Sequence, residues 1–251
     1  MDAAALLAGA AFLAGALNTV AGGGTFLTFP ALVSVGIPPV AANATSSVAV
    51  FPGYLGGALG FRRELRAFDR RLLLRATALT VIGGLAASLL LLVSSDAAFS
   101  AVVPFLLAGA TAIFAFSNRI QRWARRRSRM VAPGCASSTL AVAIYGGYFN
   151  GGLGIVLLAL FALWGLREIH AMNGLKSVLS FVLSAVSVLT FSSAGLVAWP
   201  EALIMMAAAV AGGYLGAPLA RALPERAVRG VVIGVGATMS AIFFYRLVDG
   251  G

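Results

Sequence analysis

Ten apolar runs follow one another along this chain, near residues 3–21, 25–36, 40–61, 72–93, 97–117, 133–150, 153–165, 171–192, 201–220 and 227–247, with short polar segments between them. A run of about 20 apolar residues satisfies its own backbone amides as a helix and buries itself in a hydrocarbon layer roughly 30 Å thick. Water offers such a chain no stable fold, because the polar side chains that would cover its surface are missing. Of the 251 residues 60% are apolar and 10% charged, against about 25% charged in a soluble domain. A soluble enzyme, a disulfide scaffold and a disordered chain are excluded, the second also because Cys135 is the single cysteine. The expected class is an all-α polytopic membrane protein. No basic stretch precedes the apolar start MDAAALLAGA, so the first run is read as part of the protein and not as a cleaved signal peptide.

Eight runs are long enough to span a bilayer, whereas 25–36 and 153–165 reach only about 18 to 20 Å at 1.5 Å per residue. Each short run directly follows a glycine cluster: Gly22, Gly23 and Gly24 in one case, Gly151, Gly152 and Gly154 in the other. That pattern reads as a helix broken inside the membrane, where bare backbone is tolerated only if protein buries it or it lines a cavity. The shift that carries Gly22 onto Gly152 and Gly24 onto Gly154 also brings Ala41 onto Ala171, Asn43 onto Asn173 and Ser47 onto Ser177. Over residues 20–61 it gives ten identities in 42 positions. A duplication is expected, with residues 1–130 as the first transmembrane repeat and 131–251 as the second.

Arginine distribution orients the repeats. Segment 62–75 holds Arg62, Arg63, Arg66, Arg70, Arg71 and Arg75, and segment 118–130 holds Arg119, Arg122, Arg125, Arg126, Arg127 and Arg129. Both are expected to be cytoplasmic loops. If every run reverses the chain, Arg167, Arg221, Arg226 and Arg229 fall on the same side, and the arginine-free connections near 37–39, 94–96 and 193–200 face outward. An odd number of elements per half then inverts the second half, giving two inverted repeats of about four long helices plus one short broken helix each. The competing arrangement, two parallel halves with re-entrant short runs, puts three arginines outside. The net charge of +10 is accordingly read as membrane orientation and not as a nucleic-acid interface. In isolation RIQRWARRRSR at 119–129 looks like a patch for nucleic acid or anionic lipid; beside a membrane helix it is read as a topology determinant.

All eight acidic residues, Asp2, Glu64, Asp69, Asp96, Glu168, Glu201, Glu225 and Asp249, fall in loops or at helix ends. A dehydrated cation needs a negative partner at membrane depth, so a cation substrate bound in that way is disfavoured. Of the 18 basic residues the one lysine, Lys176, stands about seven residues inside an apolar helix. Either its ammonium snorkels to the interface or it serves an anion in a wet cavity. Asn173, Lys176 and Ser177 share a helical face at i, i+3 and i+4, and the shifted repeat puts Asn43, Ser46 and Ser47 on the matching face. The candidate substrate site is Lys176, Asn43, Asn173, Thr45, Ser46, Ser47 and Ser177, with backbone donors from Gly22, Gly23, Gly24, Gly152 and Gly154. Donors without carboxylates suit a small oxyanion, and a helix N-terminus inside the membrane adds partial positive charge. The same small polar residues could instead bond helix to helix.

His170 is the only histidine, so no His/Cys metal cluster forms within one chain, and no metal or cofactor is expected. A hydrolase would need His170 to reach a buried serine such as Ser177, and no GxSxG elbow occurs; an enzyme is not expected. Gly230, Gly234 and Gly236 in the last run could support a homodimer.

The stretch NTVAGGGTFLTFPALVSVGIPPVAANATSS at 18–47 resembles the signature of the sulfite exporter TauE/SafE family, the former DUF81 group. The glycine triplet is Gly22 to Gly24, the following proline Pro30, the G-x-x-P turn Gly36 with Pro39, and the A-x-A-T-S segment Ala42, Ala44, Thr45 and Ser46. A weaker copy, FNGGLGIVLLALFALWGLREIHAMNGLKS at 149–177, lacks the full triplet and the proline and has Leu175 and Lys176 where Thr-Ser would stand. The resemblance implies a bacterial inner-membrane transporter of sulfite, sulfonates or related small anions, for which a compact ammonium is an apt partner. The alternatives are an uptake carrier or a channel for another small organic anion. A coupled proton could ride on Lys176, on His170 or on sulfite itself, a weak acid near neutral pH.

Overall fold

The computed structural model describes residues 2–20, 23–66, 68–222 and 225–249. The first half holds α1 (Ala3–Val20), α2 (Thr25–Ser34), α3 (Pro39–Gly60), α4 (Arg62–Leu65), α5 (Arg70–Val93) and α6 (Asp96–Ala115). After α7 (Ser117–Arg126) come α8 (Ala136–Tyr148), α9 (Leu153–Leu163), α10 (Ile169–Ser193), α11 (Trp199–Ala222) and α12 (Glu225–Asp249). No strand occurs among the described residues, so the protein is all-helical. By length and composition α5, α6 and α10 can each cross a membrane. Side-chain caps start all three: Asp69 accepts from the Arg71 amide at 2.9 Å, Ser95 from Ala98 at 3.1 Å, and Glu168 from His170 and Ala171.

The elements α8 and α7 differ from the sequence expectation, as does the short α4 within the segment 62–75. The run 133–150 is long enough to span, but α8 has 13 residues, about 20 Å, short of the roughly 30 Å hydrocarbon thickness. Pro133 and left-handed Gly134 delay its start, and Phe149 leaves it extended (φ −147°, ψ 107°) just before left-handed Gly152. The segment 118–130, expected as a loop, contains the helix α7. Arginine is a good helix former, and Ser117 and Ala124, buried one heptad apart, seat that helix against the protein.

In the packing, α1 lies on α11, α5 on α8, α3 on α10 and α11, α10 also on α5, and α6 on α12. Small residues let the backbones meet. A Cβ at Gly212 would fall 1.9 Å from the Phe12 carbonyl oxygen, and one at Gly15 only 2.0 Å from that of Ala209. The same kind of contact occupies one of the glycines considered for a homodimer: Gly236 faces Thr111 within the chain, while Gly230 and Gly234 face open space. At the centre Phe29 of α2 meets Phe99, Phe149 and Phe243, and the Phe51 and Phe181 rings stack at 5.0 Å between α3 and α10.

The connections sort by end. At one end the Phe61 ring stands 6.2 Å from the His170 ring, the Val131 amide donates to Leu163 at 3.4 Å, and Gly134 approaches Leu72 and Arg75. These are the arginine-bearing segments. At the other end the Val40 amide donates to Asp96 at 3.0 Å and the Ala198 amide to Thr45 at 3.0 Å, joining arginine-free connections. With Phe61 beside His170, Phe51 on Phe181 and Thr45 near Ala198, α3 and α10 run antiparallel.

Candidate functional site

The Glu168 cap sets the start of α10, and the register that follows puts Asn173, Lys176, Ser177 and Ser180 in one stripe at i, i+3, i+4 and i+7. That stripe walls a cavity of about 380 Å³, whose other walls come from α1 (Gly15, Asn18), α3 (Val50, Tyr54), Phe61 just beyond α3, and α11 (Ala209, Gly213). It lies between the stacked Phe51 and Phe181 rings and the arginine-bearing end, since it runs along α3 from Val50 and past that helix's end to Phe61. A water takes up about 30 Å³ of liquid, so the space holds a small anion with part of its hydration shell.

Lys176 is 7% exposed and has no hydrogen bond or ion pair among the described residues. Among the described residues no carboxylate lines the cavity. An ammonium withdrawn from water without a partner is costly, and the polar side chains that share its cavity are the hydroxyls and amides of Asn18, Tyr54, Asn173, Ser177 and Ser180. Gly154 also lines the space. It is the second residue of α9, behind the left-handed N-cap Gly152 (φ 71°), and its N–H forms no hydrogen bond among the described residues. A helix N-terminus with an open amide therefore shares the cavity with a buried ammonium.

The other break is closed on itself. Asn18 Oδ1 accepts from the amides of Gly23 (3.1 Å) and Gly24 (2.8 Å), capping α2 from within. The first-half polar face is likewise engaged in packing: Asn43 Nδ2 donates to the Tyr148 carbonyl at 2.8 Å, Thr45 Oγ1 accepts from Ala198, Ser46 bonds Thr28 at 2.6 Å, and Ser47 donates to the Asn43 carbonyl at 3.0 Å. Of the sequence candidates the cavity thus brings together Asn173, Lys176, Ser177 and Gly154. Asn43, Thr45, Ser46, Ser47, Gly23, Gly24 and Gly152 lie outside its lining, and Gly22 is outside the described residues.

Side-chain volume accounts for the difference between the halves. The shift that carries Asn43 onto Asn173 carries Gly15 onto Tyr145 and Asn18 onto Tyr148. The Tyr145 hydroxyl donates to the Gly151 carbonyl and the Tyr148 ring packs 5.7 Å from Phe99, so tyrosines stand where the second-half stripe faces a glycine and an asparagine. Sequence reasoning missed Asn18, Tyr54 and Ser180. Ser180 had a signal, being one further turn along the stripe; Asn18 had only its place ahead of the glycine triplet. Tyr54 stands beside Asn150, whose buried Oδ1 has no hydrogen-bond partner.

Glu168, at the membrane edge of the α10 stripe, is held below the usual carboxylate range by the amides of His170 and Ala171. A depressed folded pKa means that the cap stabilises the ionised form. Its contribution is present above the unfolded carboxylate value and is lost as pH falls through the lower folded one. Glu168→Ala is expected to lower the melting temperature by a few degrees at neutral pH. The gap from the parent should close in acid; a gap of equal size at pH 3 would contradict the cap.

A family model for the sulfite exporter TauE/SafE matches residues 7–243. A probable membrane transporter protein of Haemophilus influenzae is 28% identical over 98% of this chain and 96% of its own length. The probable membrane transporter protein YfcA of Escherichia coli is 26% identical over 94% of this chain and 87% of its own. The probable membrane transporter protein ORF9 of a Sinorhizobium species is 26% identical over 89% and 85%. No solved structure matches.

Proposed function

Because the chain belongs to the sulfite exporter TauE/SafE family of membrane transporters, we propose that it is a secondary transporter that exports a small sulfur oxyanion, sulfite or an organosulfonate. The observation that carries this reading is a buried lysine that, among the described residues, has no partner and shares its cavity with no carboxylate. Lys176 supplies the charge, the Gly154 amide and the Asn173, Ser177 and Ser180 side chains supply directed donors, and an anion completes what each lacks. Sulfite is pyramidal and compact, so a point-like ammonium serves it without the flat two-pronged geometry of a guanidinium.

Direction follows from charge. The arginine-bearing end is assigned to the cytoplasm of a bacterial inner membrane, and the cavity lies in that half of the bundle, where cytoplasmic anion loads. Release requires the opposite access, for which two inverted repeats provide a mechanism. Exchange of the halves supports this: the shift that aligns the glycine clusters turns α1 on α11 into α8 on α5, and α3 on α11 into α10 on α5, while α3–α10 and α6–α12 map onto themselves. The stacked Phe51 and Phe181 are themselves equivalent positions under that shift, as expected of residues on the pseudo-two-fold axis.

The test is uptake of labelled sulfite into inside-out vesicles. A carrier gives saturable uptake that unlabelled sulfite inside accelerates. Flux proportional to concentration would favour a channel, and an unlabelled carboxylate competing better than any sulfur oxyanion would replace the substrate.

A further inference from the structure

We infer that α7 is an anionic-lipid docking helix, which holds phosphatidylglycerol-type headgroups of the leaflet it lies on through a stripe of three arginines around Trp123. The helix starts two residues after α6 ends, so a chain leaving the bilayer in α6 lays α7 at headgroup level. One face is fixed by the protein: Ser117 and Ala124 are buried and α7 packs on α9. On the exposed side Arg119, Arg122, Trp123 and Arg126 fall at i, i+3, i+4 and i+7. Trp123 is 52% exposed and Phe116, whose ring lies 5.7 Å under the Arg119 guanidinium, is 51% exposed. An indole with basic neighbours on a surface helix fits the boundary between acyl chains and headgroups.

Charge then selects the headgroup. Residues 117–135 contain six arginines and no acid, and none of these arginines has an ion pair among the described residues. Orientation alone needs only positive charge in this segment; it needs neither a helix nor three arginines on one face of it. Guanidinium pairs bidentately with a phosphodiester, and an anionic leaflet supplies that group in the plane where α7 lies. A free phosphate could meet the same charges but would leave the exposed Trp123 and Phe116 unused; a nucleic acid could stack bases on them, but α6 ends two residues before α7 and so sets these rings at the lipid boundary.

The test counts lipid carried by the protein. The full chain is reconstituted in vesicles of phosphatidylcholine and phosphatidylglycerol at roughly 7:3, extracted in mild detergent, and its bound lipids are quantified. The parent is expected to be enriched in phosphatidylglycerol about threefold or more over the vesicle ratio. The triple variant Arg119→Gln, Arg122→Gln, Arg126→Gln should lose that enrichment. The control Arg125→Gln, Arg127→Gln, Arg129→Gln removes as much charge from the same segment and should keep most of it. Accessibility of an introduced cysteine in 118–130 reports that both variants keep the orientation, and the melting temperature that both fold. The inference is overturned by no enrichment in the parent, by equal loss in the two triples, by displacement with millimolar inorganic phosphate, or by an RNA oligonucleotide that outcompetes the lipid. Sulfite transport in phosphatidylcholine vesicles, read separately, reports on the transport reading alone.

Discussion

Replacing Lys176 by glutamine is expected to weaken the transporter's apparent affinity for sulfite by roughly ten- to a hundredfold while the protein remains folded. A hydrogen bond to a charged group contributes about 1.5–3 kcal/mol, and each 1.4 kcal/mol is tenfold in a binding constant. Among the described residues the ammonium has no partner to leave behind, so its removal strands no buried carboxylate there, and folding should tolerate the change. Glutamine keeps a donor on a side chain one bond shorter, but no charge. Arginine at the same place keeps the charge with a wider head and should restore part of the affinity. Initial rates of vesicle uptake across sulfite concentrations check this. A parent-like half-saturation concentration in Lys176→Gln would make Lys176 a structural residue.

The second large effect comes from adding charge beside the lysine. Asn173 is one turn before Lys176, on the same cavity wall. Asn173→Asp is nearly isosteric, but it places a carboxylate within reach of the ammonium. Opposite charges about 4 Å apart attract by about 4 kcal/mol at an effective dielectric of 20, and the same carboxylate repels an incoming anion. The lysine is neutralised in place, and sulfite affinity should fall about a hundredfold or more. Asn173→Ser, which removes a donor and adds no charge, should cost less than tenfold. Competition binding on both variants separates the cases, and equal losses would mean that shape and not charge governs the site.

Helix positions were legible because lipid imposes one rule on every run: each backbone amide must be paired within the segment. The runs 72–93 and 97–117 therefore reappear as Arg70–Val93 and Asp96–Ala115. The rule says nothing about a run that ends inside the protein, and so the length of α8 was not legible; Phe149 leaves the helix where protein, not lipid, surrounds it. The helix α7 was hidden because its residues announce charge, and charge fixes sidedness without fixing conformation.

At the site, Asn173, Lys176 and Ser177 could be read together because helical spacing is a local property. Their separation from Asn43, Ser46 and Ser47 could not, since it depends on which side chains fill the facing helices. The deciding pairs, Gly15 with Tyr145 and Asn18 with Tyr148, lie just before the stretch where the two halves match. Their contrast in volume has meaning only once α1 is seen on α11 and α8 on α5. Asn18 is a further case: its carbonyl caps α2 across the glycine break, a contact that no spacing rule foretells.

Transport as proposed requires that the Lys176 cavity bind an oxyanion. The most direct measurement is equilibrium binding of labelled sulfite to the purified protein in lipid discs, with Lys176→Gln beside it and sulfate, a short sulfonate and a carboxylate as competitors. One saturable site per chain is expected, displaced by the sulfonate better than by the carboxylate and weakened at least tenfold in the variant. Saturable binding of the same strength in parent and variant would contradict it.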